Sequence, residues 1–312
     1  MKMNKKLVAM AVAAALAAPL AAQAGVTTYG QARVSVNADS NNNPNTGVDD
    51  SGLSVSSNAS RLGFKGDDTL ANGLTFVWQL EAGVTMDNGV LMDDDEGLNQ
   101  TPGFGSGAHF RDSFVGLAGD WGTVLAGRHA TPYRMATENF DPFVDTRADF
   151  NAVIGSVSLP GGSANPTINV GNTDTTPGSA TTPPSPVYLQ VFNNRANNVI
   201  AYVTPEVNGF MGAIAYVVNY DDLLGGPGDA LGSGSAGRRS AAGDQDAYSL
   251  EGTYKNGPLF VAAAYESLNN LTKTGTNAYD DATAWKVAGS WNFGQGTEVG
   301  ALWESIDLGG NN

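Results

Sequence analysis

Residues 283–293 read Thr-Ala-Trp-Lys-Val-Ala-Gly-Ser-Trp-Asn-Phe. Trp285, Val287, Gly289, Trp291 and Phe293 share one parity, and Ala284, Lys286, Ala288, Ser290 and Asn292 share the other. Successive side chains of a β-strand point to opposite faces, so this stretch is apolar on one side and polar or small on the other. The spelling recurs. Residues 74–84 put Leu74, Phe76, Trp78, Leu80, Ala82 and Val84 on one face, with Thr75, Gln79, Glu81 and Gly83 opposite. Phe210, Ile214, Tyr216, Val218 and Tyr220 group together, and Tyr248, Leu250 and Tyr254 oppose Ser249, Glu251, Thr253 and Lys255. The pattern predicts eleven strands, over 26–38, 59–66, 74–86, 110–118, 122–129, 197–204, 209–220, 246–255, 258–268, 283–293 and 297–307. The facing of 197–204 stays open.

The connections between these strands alternate in length. Residues 39–58, 87–109, 130–196, 221–245 and 269–282 are long; 67–73, 119–121, 205–208, 256–257 and 294–296 are short. The short ones carry turn residues: Asn72-Gly73, Gly119-Asp120, Asn208-Gly209 and Asn256-Gly257 before Pro258. Asp67 and Asp68 are expected to shape the first of them. A soluble sandwich has no reason to gather every long loop at one end, whereas an outer-membrane barrel has short turns on one side and long loops on the other.

Face polarity agrees. The polar faces carry Arg, Lys and Glu on many strands, too many for a dry core. Trp121, Tyr202, Tyr220, Trp285 and Phe293 stand near strand ends, where an interfacial girdle belongs. The apolar face is therefore expected to meet lipid and the polar face water.

Composition excludes several classes. Sixteen Lys and Arg against 31 Asp and Glu give a net charge of −15, and a nucleic-acid binder needs a basic footprint instead. With no Cys among 312 residues, disulfides, thiolate metal sites and a cysteine nucleophile are absent. Mean hydropathy is slightly negative, against a helical membrane protein. The one long apolar run, Leu7–Ala22, follows Lys2, Lys5 and Lys6 and precedes Ala22-Gln23-Ala24. That layout is a secretory signal peptide over 1–24, cleaved after Ala24. Its run is short for a membrane span of about 20 residues and contains Pro19. Without its three lysines the remainder carries −18, from 13 cations and 31 acids.

Four stretches resemble the general diffusion porins of Gram-negative outer membranes. They are Val26-Thr-Thr-Tyr-Gly-Gln-Ala-Arg33; Ser60-Arg-Leu-Gly-Phe-Lys-Gly66; Phe110-Arg-Asp-Ser-Phe-Val-Gly-Leu117 with Gly119-Asp-Trp-Gly-Thr-Val-Leu-Ala-Gly-Arg128; and Asn198-Val-Ile-Ala-Tyr-Val-Thr-Pro205 with Gly209-Phe210. The resemblance, in this order and spacing, covers residues 25–307. It implies an all-β fold, an antiparallel transmembrane β-barrel of the sixteen-stranded type, exported by the Sec route to the outer membrane. It also implies a homotrimer amid lipid and lipopolysaccharide, and a third external loop folded into the lumen. That loop is 130–196 here, within a barrel domain spanning 25–312. Its segment Thr131–Asp145 resembles the constriction segment, with Glu138, Asp141 and Asp145 as its acids. The facing wall arginines are Arg61, Arg111, Arg128 and Arg195. An Arg on the lipid face near the midplane costs about 2–4 kcal/mol, which turns these residues inward. Facing charges would filter ions moderately and in a salt-dependent way, since the Debye length is about 8 Å in physiological salt.

Other charges are read more plainly. Glu251, Glu266, Lys286 and Glu304 are taken as wall residues, and Asp93-Asp94-Asp95-Glu96 as a solvated loop tip. Residues 160–186 form a low-complexity insertion in or after the constriction segment. No metal and no cofactor are expected. A barrel closes with an even number of strands, and Leu308-Gly-Gly-Asn-Asn312 lacks the aromatic residue with which the family's last strand ends. The expectation is a piece truncated to about eleven strands, lacking roughly five and unable alone to form a working pore.

The function implied is passive diffusion of small hydrophilic solutes and ions, with a weak preference for cations from the acidic loops. The runner-up is a substrate-specific channel on the same scaffold. A barrel hydrolase would need a Ser, His and acid together, yet His109 and His129 are the only histidines and no Gly-x-Ser-x-Gly elbow occurs. An exported soluble sandwich would instead bury its apolar faces.

Overall fold

The computed structural model describes residues 25–39, 42–43, 48–49, 52–87, 90–91, 110–138, 141–146, 148–150, 154–159, 187–218, 246–272 and 279–307. Alternating spelling becomes antiparallel pairing in chain order, along one sheet of eleven consecutive strands. These are β1 (Thr27–Gln31), β2 (Arg61–Thr69), β3 (Thr75–Thr85), β4 (Phe110–Gly119), β5 (Gly122–Ala130) and β6 (Arg195–Val203). They continue as β7 (Phe210–Val218), β8 (Asp246–Asn256), β9 (Leu259–Thr272), β10 (Tyr279–Gly294) and β11 (Thr297–Asp307). Val90–Leu91 pairs with the end of β3. Among the described residues no helix is long and apolar enough to cross a membrane, which says nothing of crossing by strands.

The short connections fold as their residues dictate. Between β6 and β7, Asn208 and Gly209 both have positive φ, at 53° and 84°, and Val207 and Phe210 exchange backbone bonds of 2.9 and 3.0 Å across them. Positive φ at both central residues is the type I′ geometry, whose twist matches that of the flanking strands. Asn72 (φ 66°) and Gly73 (φ 76°) turn the chain from β2 to β3. Asp67 and Asp68 lie inside β2, paired with Val77 and Phe76, rather than in that turn. The cause is register: β2 runs three residues beyond its expected end before Leu70 leaves the ladder.

The first expected strand is divided. Residues Thr27–Gln31 pair with β2, while Val34–Asp39 pair instead with Gly52–Ser57. The division falls at Arg33, whose N–H donates to Ser60 Oγ at 2.9 Å while its carbonyl accepts from Asn58 N at 3.0 Å. The third long connection holds a further pair, Ser156–Leu159 with Val187–Gln190. Residues 1–24, His109, Asp93–Glu96, 160–186 and Tyr220 lie outside the described residues.

Each face has the predicted character. Trp285 is 45% and Trp291 46% exposed, whereas Lys286 between them is 1% exposed. Val261, Tyr265, Tyr248, Leu250, Ile214 and Ile200 likewise stand outside. Ile200 in this set settles β6: Ile200 points outward, and Val199 and Ala201 inward. Outer aromatics pair across strands, Trp121 with Tyr202, Phe210 with Tyr254 and Trp285 with Trp303, the last at 4.1 Å between ring centroids. The sheet curls, because the third connection touches strands near both of its edges: Asp145 meets Arg61 on β2, and Tyr133 meets Glu304 on β11.

Small inner side chains make room for that connection. Ala215, Ala247, Ala262, Ala264, Ala282 and Ala284 line the inner wall and join one apolar cluster with Tyr133, Val191 and Phe192. The buried core thus lies between loop and wall, on the concave side of the sheet.

Candidate functional site

The third connection begins with a short helix, α1 (Pro132–Glu138). Thr131-Pro132 starts it: the Thr131 hydroxyl accepts from Arg134 N at 3.4 Å, and proline is pre-set for the first helical position. Seven residues are too few to hold a helix in water, so tertiary contacts must stabilise it. Tyr133 supplies them. It is fully buried, its N–H donates to Ser249 Oγ at 2.8 Å, and its hydroxyl donates to Glu304 Oε1 at 2.7 Å. Burial and that carboxylate push the Tyr133 hydroxyl far above its usual value, so it stays a donor.

Lys286 on β10 fastens the same region from below. Its ammonium donates to Thr137 Oγ1 at 2.8 Å and Asn193 Oδ1 at 2.7 Å, and lies 4.2 Å from the Tyr133 ring centroid. Glu304 also accepts from Gly155 N, at 2.9 and 3.2 Å. Gly155 has φ 79°, and a Cβ there would collide with the Phe192 carbonyl. Lys286 and Glu304, read from sequence as plain wall residues, therefore hold the outgoing and returning arms of the loop. Their partners are distant in sequence, and no local motif marks them. Glu251 and Glu266 are buried on the same inner wall.

Beyond α1 the chain crosses toward β1 and β2. Asp141 shapes this tip, accepting from Phe143 N at 2.7 Å and Phe150 N at 3.0 Å. Burial pushes the Asp141 carboxyl up, the two amides pull it down, and neighbouring Asp149 raises it again, leaving it above the usual carboxylate range. Asp149 accepts from Asp145 N at 2.9 Å. Asp145, with a positive φ of 58°, reaches the wall. Arg61 donates to its two oxygens at 3.0 and 3.3 Å, and Gln31 Nε2 donates at 3.0 Å. Burial raises the Asp145 carboxyl, but the Arg61 charge and these hydrogen bonds outweigh it and hold the group low.

The remaining expected residues gather on the wall beside the loop. Arg111 closes on Glu81 at 2.8 Å, with Arg61 3.9 Å from the same carboxylate. Tyr29, lying over Gly63, donates to Glu81 at 2.8 Å. Arg195 meets Asp112 at 3.2 Å and Glu138 at 3.4 Å, and Glu138 is also 3.8 Å from Arg134. Arg128 donates to Phe110 O at 2.5 Å and Asn197 Oδ1 at 2.8 Å. Asp145 and Glu138 thus touch wall arginines directly, whereas Asp141 turns inward on its own loop. Ionic contacts of this kind, partly desolvated and hydrogen bonded, fix position as well as charge. Among the described residues no cluster of His, Asp and Glu has the geometry to hold a metal ion.

The chain has relatives among known proteins. The major outer membrane protein P.IA of Neisseria meningitidis serogroup C is 34% identical over 167 residues, covering 49% of this chain and 38% of its own length. P.IB of Neisseria sicca is 30% identical over 150 residues, covering 47% and 37%. The chain thus spans under two fifths of these curated relatives. Among solved structures, the anion-selective porin from Comamonas acidovorans matches in fold with a TM-score of 0.59 at 21% identity, over 91% of this chain and 68% of that one. A family model described as Gram-negative porin matches residues 9–312. With the apolar face outward, the inner face charged and the third loop folded against it, the chain belongs to the Gram-negative porin family and to the outer membrane.

Proposed function

We propose that the complete gene product passes small hydrophilic solutes and ions by passive, energy-independent diffusion through a water-filled channel narrowed by the third loop. The observation that carries this reading is the placement of that loop on the charged concave face, anchored at Glu304 and at Arg61. The narrow zone is formed by Glu138, Asp141 and Asp145 with Arg61, Arg111, Arg128 and Arg195. Acidic residues outnumber basic ones in the chain, 31 to 16, which supports a weak preference for cations, reduced by salt. The family resemblance supports a homotrimer in contact with outer-membrane lipid and lipopolysaccharide. The leader Met1–Ala24 supports export by the Sec route.

Planar-bilayer conductance tests the proposal. The expected result is ohmic conductance with no energy source, and a fall in cation preference when Asp141 and Asp145 are changed to Asn. Absence of conductance contradicts the diffusion reading, and unchanged selectivity removes the two acids from the filter. A substrate-specific channel would instead show conductance blocked in a saturable way by one solute class.

A further inference from the structure

Arg33 closes the first family-like stretch but is not among the expected wall arginines, yet it occupies the far anchor of the third loop. It stands where the first strand divides, with its backbone tied to Ser60 and Asn58. From there Nη1 donates to Val144 O at 2.8 Å and Asp145 O at 3.3 Å. The charges around it differ in access. Arg61, not Arg33, grips the Asp145 carboxylate at two points, and Arg33 Nη1 stands 3.7 Å from it. Glu81 is taken by Arg111, and Asp141 and Asp149 face backbone amides inside the tip. Side-chain exposure is 39% at Arg33, against 17% at Arg61, 13% at Asp145 and 7% at both Arg111 and Glu81; Glu138, at 33%, is the comparably open acid and lies against Arg195 and Arg134.

Buried, mutually bonded charges present little net field to a passing ion, while a guanidinium beside them that is more open to solvent and pairs at a longer distance presents more of its charge. Resting on the diffusion reading above, we infer that Arg33 sets the charge a small permeating ion meets at the narrow zone. It recruits inorganic anions and holds down the cation preference of an otherwise acidic channel. The contacts to the Val144 and Asp145 carbonyls place that charge at the loop tip, with the Arg33 side chain partly exposed.

The test is the reversal potential of the complete gene product across a tenfold KCl gradient, compared with Arg33→Gln and Arg33→Lys. Arg33→Gln should raise the potassium-to-chloride permeability ratio about threefold, the weight of one charge at about 6 Å in a water-like medium. Arg33→Lys should stay near the parent. With no cysteine in these 312 residues, and any outside them replaced by Ser, Arg33→Cys gives a second arm inside an already folded channel. An ammonium-bearing thiol reagent should lower the ratio and a sulfonate-bearing one should raise it. Identical ratios after the two reagents overturn the inference. So does a conducting Arg33→Gln variant with the parent ratio, a lysine variant shifted as far as the glutamine one, or failure of every variant to insert, which makes Arg33 a structural tether. A parent that does not conduct refutes the diffusion reading itself.

Discussion

At the scale of single residues, Lys286 shows how an inner-wall position becomes an anchor. Its ammonium is buried, satisfied by Thr137 and Asn193 and stacked on Tyr133. Replacing it with an apolar side chain leaves those acceptors, and the Glu304 carboxylate behind them, without their cation. Leaving a buried acceptor without its donor costs about 1–3 kcal/mol. Lys286→Met is therefore expected to lower the thermal unfolding midpoint in detergent and to increase current noise as α1 loosens, while the strand signal in circular dichroism persists. Noise and midpoint equal to the parent's would show that Lys286 does not hold the loop. Its sequence context gave no sign of this. Lys286 alternates with Trp285 and Val287 as any inward strand residue does, and its partners lie 149 and 93 residues away. Arg61, by contrast, was legible, because the Ser60–Gly66 motif carries it.

At the scale of elements, a period of two was enough to place the strands, and turn chemistry to join them. Each of the eleven expected segments contributes a strand to the main sheet, the first only through Thr27–Gln31, and Asn208-Gly209 forms the turn its residues favour. Elements inside long connections were not legible. Gly52–Ser57 and Ser156–Leu159 alternate apolar and Ser residues over only four positions, Val187–Gln190 does not alternate, and α1 is too short to show a helical period. Gly209 and Gly257 give a paired test. Both have positive φ, at 84° and 56°, but a Cβ at Gly209 would collide with the Lys255 carbonyl, whereas nothing lies within 4 Å at Gly257. Gly257→Ala should cost about 1–2 kcal/mol from the left-handed backbone alone. Gly209→Ala adds a clash with backbone and should cost clearly more, read as the difference in thermal midpoint. Equal losses would contradict the close approach of the β6–β7 turn to β8.

At the scale of the whole molecule, one physical choice organises everything else: which side of the sheet meets hydrocarbon. The outward side chains are apolar and the inward ones charged or small, and the described part of the third loop bonds to the concave wall as well as to itself. The five tryptophans within these 312 residues report on this choice. Trp121, Trp285, Trp291 and Trp303 stand exposed on the outside, and Trp78 shares the face of Phe76 and Leu80. The most direct measurement is quenching of tryptophan fluorescence in the complete gene product reconstituted into bilayers, with any tryptophan outside these 312 residues replaced by Phe. Brominated acyl chains should quench most of the emission, and aqueous iodide little of it. Strong quenching by iodide with indifference to brominated lipid would put those rings on the wet side and contradict the inside-out arrangement.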